Sequence, residues 1–257
     1  MPQRLNGIPS FLILASMRQL LASVLCAMVF STVSAASPNW PQSGLGSATL
    51  PDSGQFEGYF QDGLFEGEGT IVWKDGYTYK GRFRKGLFHG YGKLTRPQQG
   101  YEYAGEWADG LQHGKGSLRY RDGATYEGHF VQGERSGFGV LTYPKSFVYT
   151  GMWKNGLYNG RGRTQFEDGS SYEGEFLDGF FHGSGEARVP GKNVYRGTFA
   201  KGVRTGVGRI EWDSSEWYEG PFEGDVPHGK GRCRVKQGHG TCSFEKGELL
   251  EVVEVVD

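Results

Sequence analysis

Apolar and polar positions alternate in short bursts along this chain, and the bursts return about every 23 residues. One of them, Tyr126-Glu127-Gly128-His129-Phe130, reads ring, polar, glycine, polar, ring. A period of two with the apolar residues on one side predicts a strand with one dry face. The bursts start at Phe56, Tyr79, Tyr103, Tyr126, Tyr149, Tyr172, Tyr195 and Tyr218, at spacings of 23, 24, 23, 23, 23, 23 and 23. Four residues after each start stands a second ring: Phe60, Phe83, Trp107, Phe130, Trp153, Phe176, Phe199 and Phe222, with Phe244 keeping the beat a ninth time. Positions are written below as offsets from these starts. Glycine fills +2 (Gly58 to Gly220), +11 (Gly67 to Gly229) and +13 (Gly69 to Gly231) in all eight units. From +13 a second alternating burst follows, as in Gly116-Ser117-Leu118-Arg119-Tyr120, and predicts a second strand. A fixed period of this length marks a stack of one supersecondary unit.

Parity constrains the connections, because opposed residues of an antiparallel pair share a face. Between Tyr120 and Tyr126 the loop must be odd, and Arg121-Asp122-Gly123 supplies three residues. Between Trp107 and Gly116 it must be even, and the six residues Asp109 to Gly114 supply that. The expected fold is all-β: an elongated, twisted single-layer antiparallel meander of about eight 23-residue β-hairpin repeats, with a half-repeat at each end. Residues 44–55 align with the second half of a unit, and Thr241 to Gly247 keep the first half of another. Pro51 is expected to blunt the first edge strand. Two departures stand out: an extra residue in Pro97-Gln98-Gln99-Gly100, and Gly224-Asp225 where other units have a residue followed by glycine.

The run Tyr172-Glu173-Gly174-Glu175-Phe176, followed by Gly179, His182-Gly183 and Gly185, resembles the MORN (membrane occupation and recognition nexus) repeat. The resemblance covers Phe56 to about Gly247 and recurs eight times. It implies a single-layer elongated antiparallel sheet and a role as scaffold, tether or interaction module, some members being linked to membranes or phosphoinositides. It implies no reaction carried out by the repeats.

Composition agrees. Glycine is 44 of 257 residues and rings are 14% of the chain, which excludes collagen, with no glycine every third residue, and a disordered glycine-rich chain. The formal charge is −1 and no basic run stands out, so nucleic acid is not an expected partner. The first 35 residues hold no Asp, Glu or Lys, and an apolar run from Leu20 to Val33 follows Arg18 and ends in Val33-Ser34-Ala35. This predicts a secretory signal over 1–35, cut after Ala35 or, as second choice, Ala36, with Met17 as the natural start. An uncleaved N-terminal anchor is the alternative, against which the run of about 14 residues falls short of the ~20 that span a bilayer. The remaining divisions are a linker at 36–43, the array at 44–247 and an apolar capping segment at 248–257, helix or strand, over the last strand or the groove.

Few residues carry chemistry. His89, His113, His182 and His228 recur at +10, too far apart for one metal, and are read as loop residues that bond a backbone carbonyl. No nucleophile stands with a base outside the repeat columns, so neither catalytic, metal nor cofactor residues are expected. The Tyr column is read as core. Phe60, Phe83, Trp107, Phe130, Trp153, Phe176, Phe199 and Phe222 are read as a partner-binding groove, since one layer should leave some rings exposed. Cys233 and Cys242 form an even pair after removal of the leader. A turn at Gln237-Gly238 would set them directly opposite, within reach of a disulfide. The expectation is a non-enzymatic scaffold or tether that binds a protein in an exported compartment, periplasmic or secreted. Anionic membrane surface and cell-wall glycan are the alternative partners, and self-association is open.

Overall fold

The computed structural model describes residues 39–212 and 215–254. The expected signal and part of the linker lie outside the described residues, as does the end of the tail. The described chain forms twenty strands and one short 3₁₀ turn at Pro97–Gln99, where the extra residue was noted. It divides into two compact units.

The first unit comprises, among the described residues, 39–144 and 153–156. It holds β1 (Ser43–Thr49), β2 (Gln55–Gln61), β3 (Leu64–Val72), β4 (Thr78–Arg84), β5 (Leu87–Arg96), β6 (Tyr101–Ala108), β7 (Leu111–Arg119), β8 (Thr125–Val131) and β9 (Glu134–Tyr143). Each strand pairs antiparallel with the next. The second comprises 145–152 and 157–254 of the described residues. It holds most of β10 (Phe147–Lys154), then β11 (Leu157–Phe166), β12 (Ser171–Leu177), β13 (Phe180–Val189), β14 (Asn193–Ala200), β15 (Val203–Glu211), β16 (Trp217–Glu223), β17 (Val226–Pro227), β18 (Gly229–Val235), β19 (Gly238–Glu245) and β20 (Glu248–Glu254). It too is an antiparallel meander, β17 being a two-residue strand between β16 and β18.

The odd loop is as expected: Arg121 to Gly123 join β7 and β8, with Gly123 at φ 84° and the Ala124 N–H donating to Asp122 Oδ1 (3.0 Å). The even loop is corrected. Only Asp109 and Gly110 turn, at φ 50° and 83°, the two positive angles of the tightest hairpin turn. Strand pairing resumes at once, with Ala108 opposite Leu111 and Glu106 opposite His113. The register then shifts so that Gly105 faces Gly116, and Gly114 takes φ 56° in the bulge. Gly224 and Asp225 adopt 57° and 73°, so the reversed pair makes a turn of the same kind.

The N-terminal half-repeat keeps repeat register: Gly46 faces Gly58 and Ala48 faces Phe56, as Gly116 faces Gly128 and Leu118 faces Tyr126. Pro51 sits in the turn after β1 and not on the edge strand. The tail is a strand. β20 pairs with β19 and completes a ninth hairpin, with Leu249 opposite Phe244 as Phe65 is opposite Phe60.

Candidate functional site

The repeat's inward face is built on glycine. In the middle unit Tyr126 lies flat over Gly128 and Gly139, close enough that a Cβ on either would meet the phenol ring. Its edges are closed by the unit's own +4 ring, Phe130, and by the next one, Trp153, both T-shaped at 5.2 Å. The same clamp holds Tyr172 between Phe176 and Phe199, both at 5.1 Å. Such edge-to-face pairs suit the ring quadrupole. The free side of the ring is covered from +9. Phe88 stacks on Tyr79 at 3.5 Å and Phe181 on Tyr172 at 3.7 Å. In other units Arg135 and Arg204 hold their guanidinium groups 5.7 and 5.3 Å from the ring centroids of Tyr126 and Tyr195. Gln112 occupies the same position and is buried.

The hydroxyl explains why this column is Tyr. It donates to the carbonyl of residue +3, where the register shifts: Tyr79 to Arg82 (2.9 Å), Tyr103 to Glu106 (2.8 Å), Tyr149 to Met152 (2.8 Å) and Tyr172 to Glu175 (2.8 Å). Trp107 and Trp153 likewise spend their indole N–H on the carbonyls of Gly92 (3.1 Å) and Gly139 (3.2 Å).

The consequence overturns the exposure on which the expected groove rested. Phe60, Phe83, Trp107, Phe130, Trp153, Phe176, Phe199 and Phe222 are all buried, none more than 4% exposed. Because Tyr can lie flat on glycine, a single layer has room to bury both ring columns. A small gap remains in the second unit, where +15 is Thr164 and then Ala187 instead of Leu or Ile. It is a cavity of about 20 Å³, lined in part by Ser170, Tyr172, Phe181, Ala187 and Phe199, large enough for one water.

Large apolar side chains reach solvent on the opposite face, four of them at one place in the repeat, and Leu250 (63%) and Val253 (54%) are comparably exposed on β20. Leu45 (85%), Tyr91 (64%), Phe138 (54%) and Val207 (67%) are the middle residues of Gly-x-Gly triplets, at +12. This column carries no apolar signature in the sequence, because Glu68, Lys115, Arg161, Ser184 and Lys230 share it.

Among the described residues no three His, Cys, Asp or Glu are placed to hold a metal. The expected bond to a carbonyl is corrected at His228, whose Nδ1 accepts from the Lys246 N–H (3.4 Å), as Glu66 Oε2 accepts from the Lys85 N–H (3.0 Å). Cys233 and Cys242 are bridged, with Cα atoms 5.8 Å apart. The turn falls at Lys236-Gln237, so they are diagonal partners: Cys233 faces Gly240 and Gly231 faces Cys242. This last unit has exchanged Tyr at 0 and Gly at +2 for Gly240 and Cys242, and the disulfide stands where a ring would lie.

Burial pushes the phenols of Tyr126 and Tyr195 up to about 12, while Arg135 and Arg204 pull them down. Tyr79, Tyr103 and Tyr172 are also raised by burial. Below pH 10 folded and unfolded phenols are both neutral. Above it the unfolded chain loses protons that the folded chain keeps, so stability falls as pH rises from about 10 through 12. Parallel alkaline titrations by phenolate absorbance and far-ultraviolet circular dichroism should therefore show these tyrosines ionising only as the strands are lost.

A family model described as MORN repeat matches residues 56–76, 79–101, 103–125, 126–146, 149–171, 172–187, 195–216 and 218–234. No curated protein matches the chain. Among solved structures, one similar chain is the TCP domain of SAS-4 (dCPAP) from Drosophila melanogaster, in complex with a proline-rich motif of Ana2 (dSTIL). It is 12% identical, with a TM-score of 0.32, and the match covers 61% of this chain and 90% of that one. Another is the G-box domain of the microcephaly protein CPAP: 14% identical, TM-score 0.40, covering 77% of this chain and 97% of that one. Likeness at this level carries nothing about partners.

Proposed function

The chain belongs to the MORN repeat family, a non-enzymatic repeat module, and from that premise we propose that it is an interaction scaffold or tether that binds a protein partner through its outward face. The observation that carries this is the split between the two faces. The inward rings are consumed by the fold, whereas Leu45, Tyr91, Phe138 and Val207 remain in solvent at one repeated position. Two of the four, Tyr91 and Phe138, are aromatic, the residue class enriched in protein contact surfaces relative to the rest of the surface.

An exported compartment is part of the proposal, supported by the apolar run Leu20 to Val33 before Val33-Ser34-Ala35 and by the Cys233–Cys242 bridge. Photo-cross-linkers at Tyr91 and Phe138, used in the native cells, test the partner. The expected result is one protein cross-linked from both sites and not from Gln132 at an open turn. Cross-linking that is equal at all three sites, or absent, contradicts the reading. An intact mass beginning at Ala36, with the two thiols oxidised, is expected from the same preparation.

A further inference from the structure

The outward face of the second unit carries a chain of ion pairs that stops at one strand. Arg188 meets Glu186 at 3.0 Å, and Glu186 meets Arg196 at 2.7 Å. Arg196 meets Glu211 at 3.5 Å, Glu211 meets Arg209 at 2.9 Å, and Arg209 meets Glu219 at 3.3 Å. Cation and carboxylate alternate from β13 to β16. The next rung is β18, where Arg232 faces Glu219 and Arg234 faces Trp217. Glu219 is already engaged by Arg209, and the Arg209 guanidinium lies 4.2 Å from the Trp217 ring centroid.

Lys230, Arg232 and Arg234 are exposed at alternate positions of β18, on one face. On the far side β19 sets Ser243, Thr241 and His239 opposite them, with no carboxylate. Among the described residues no acid lies within 4 Å of these three cations. Glu251 of β20 lies on the same face but in register with Ser243, a further strand away.

We infer that this row is a docking surface for an acidic segment of a polypeptide, held extended along β18, whose carboxylates supply the missing rung beside the Arg209–Trp217 pair. Charge complementarity identifies the occupant, and the spacing identifies its form. Alternate residues of a strand stand about 6.4–6.8 Å apart, which is the spacing of alternate side chains in an extended chain. Acids at every second residue therefore meet Lys230, Arg232 and Arg234 in register, whereas acids in adjacent pairs do not. Guanidinium groups favour this role because each can take a carboxylate with two parallel hydrogen bonds. The inference rests on the protein-binding reading and names the chemistry of one contact within it.

The probes are fluorescein-labelled octapeptides (Glu-Ser)4 and (Glu-Glu-Ser-Ser)2, equal in charge and different in register, titrated against the full mature chain by anisotropy at low and at physiological salt. Tighter binding of (Glu-Ser)4 by about fivefold or more is expected, weakening with salt. Arg232→Glu with Arg234→Glu should lower its affinity at least ~10-fold, and Lys115→Glu should leave it unchanged. An unchanged circular dichroism melt shows that the double variant still folds, and Arg232→Gln with Arg234→Gln serves if it does not. Equal affinity for the two peptides, no loss in either double variant, or preferential binding of phosphatidylserine vesicles through the same residues overturns the inference. A cross-linked partner at Tyr91 and Phe138 with no peptide binding leaves the protein-binding reading standing and removes this surface. Absence of both removes the two together.

Discussion

Gly105→Ala is expected to cost about 3 kcal/mol, the upper part of the range for overpacking. A methyl there would lie 2.5 Å from Gly116 Cα, 2.6 Å from Tyr103 Oη and 2.7 Å from Lys115 O. Two of those atoms are backbone of the paired strand and cannot rotate away. The ring could yield only by leaving the clamp of Trp107 and Phe130, at 5.0 and 5.2 Å. Stability in a stacked array is close to a sum of local terms. Hydrogen exchange should therefore quicken by about 100-fold in β6 and β7, the change that 3 kcal/mol implies, and stay unaltered several strands away. Gly133→Ala is the control. Its Cβ meets nothing within 4 Å at φ 84°, so it should cost only about 1 kcal/mol of backbone strain. Equal effects at the two glycines would contradict the role given to close approach.

Tyr172→Ala should cost about 4 kcal/mol, as for other large buried rings. It removes a ring stacked at 3.7 Å on Phe181 and clamped by Phe176 and Phe199, and leaves the Glu175 carbonyl without its hydroxyl donor. Tyr172→Phe keeps the packing and loses only the hydroxyl, which donates to the carbonyls of Glu175 (2.8 Å) and His182 (3.3 Å), at about 1 kcal/mol. The ratio between the two variants separates ring from hydroxyl. Denaturant melts of both, followed by the protection of β12 and β13, give that ratio. Phe181→Ala combined with Tyr172→Ala should be less than additive, because the two rings share one contact.

The repeat was legible because its residues are bound to its geometry. Ring, glycine and ring at 0, +2 and +4 mean a strand with a flat ring over a missing Cβ, and no other arrangement uses the glycines so regularly. Parity was a weaker guide. It required an even number of residues between Trp107 and Gly116, and a two-residue turn followed by a bulge satisfies that as well as a six-residue loop does. The +9 cover was hidden, since Phe65, Phe88, Tyr158 and Phe181 share the position with Gln112, Arg135, Arg204 and Pro227. Only the packing shows that the polar members also close over the rings, the long ones with apolar stems.

The site was less legible for a related reason. A single layer offers one ring column a core and leaves the other exposed unless the rings can lie flat, and the flat Tyr on glycine removes that limit. The informative signal was small: the middle residue of Gly-x-Gly, where Leu45, Tyr91, Phe138 and Val207 break a run of polar residues. The cysteine pair was visible from its number and spacing, but its register was not, because Lys236-Gln237 and Gln237-Gly238 are both acceptable two-residue turns until β19 pairs.

The division of the two faces is tested most directly by hydroxyl-radical footprinting of the full chain, read residue by residue. Tyr91 and Phe138, at 64% and 54% exposure, should be oxidised at least ~10 times faster than Tyr103 and Phe130, at 0% and 2%. Oxidation of Trp107, Phe130 and Phe199 at rates equal to those of Tyr91 and Phe138 would mean that the inward face is an open groove, and would contradict the account.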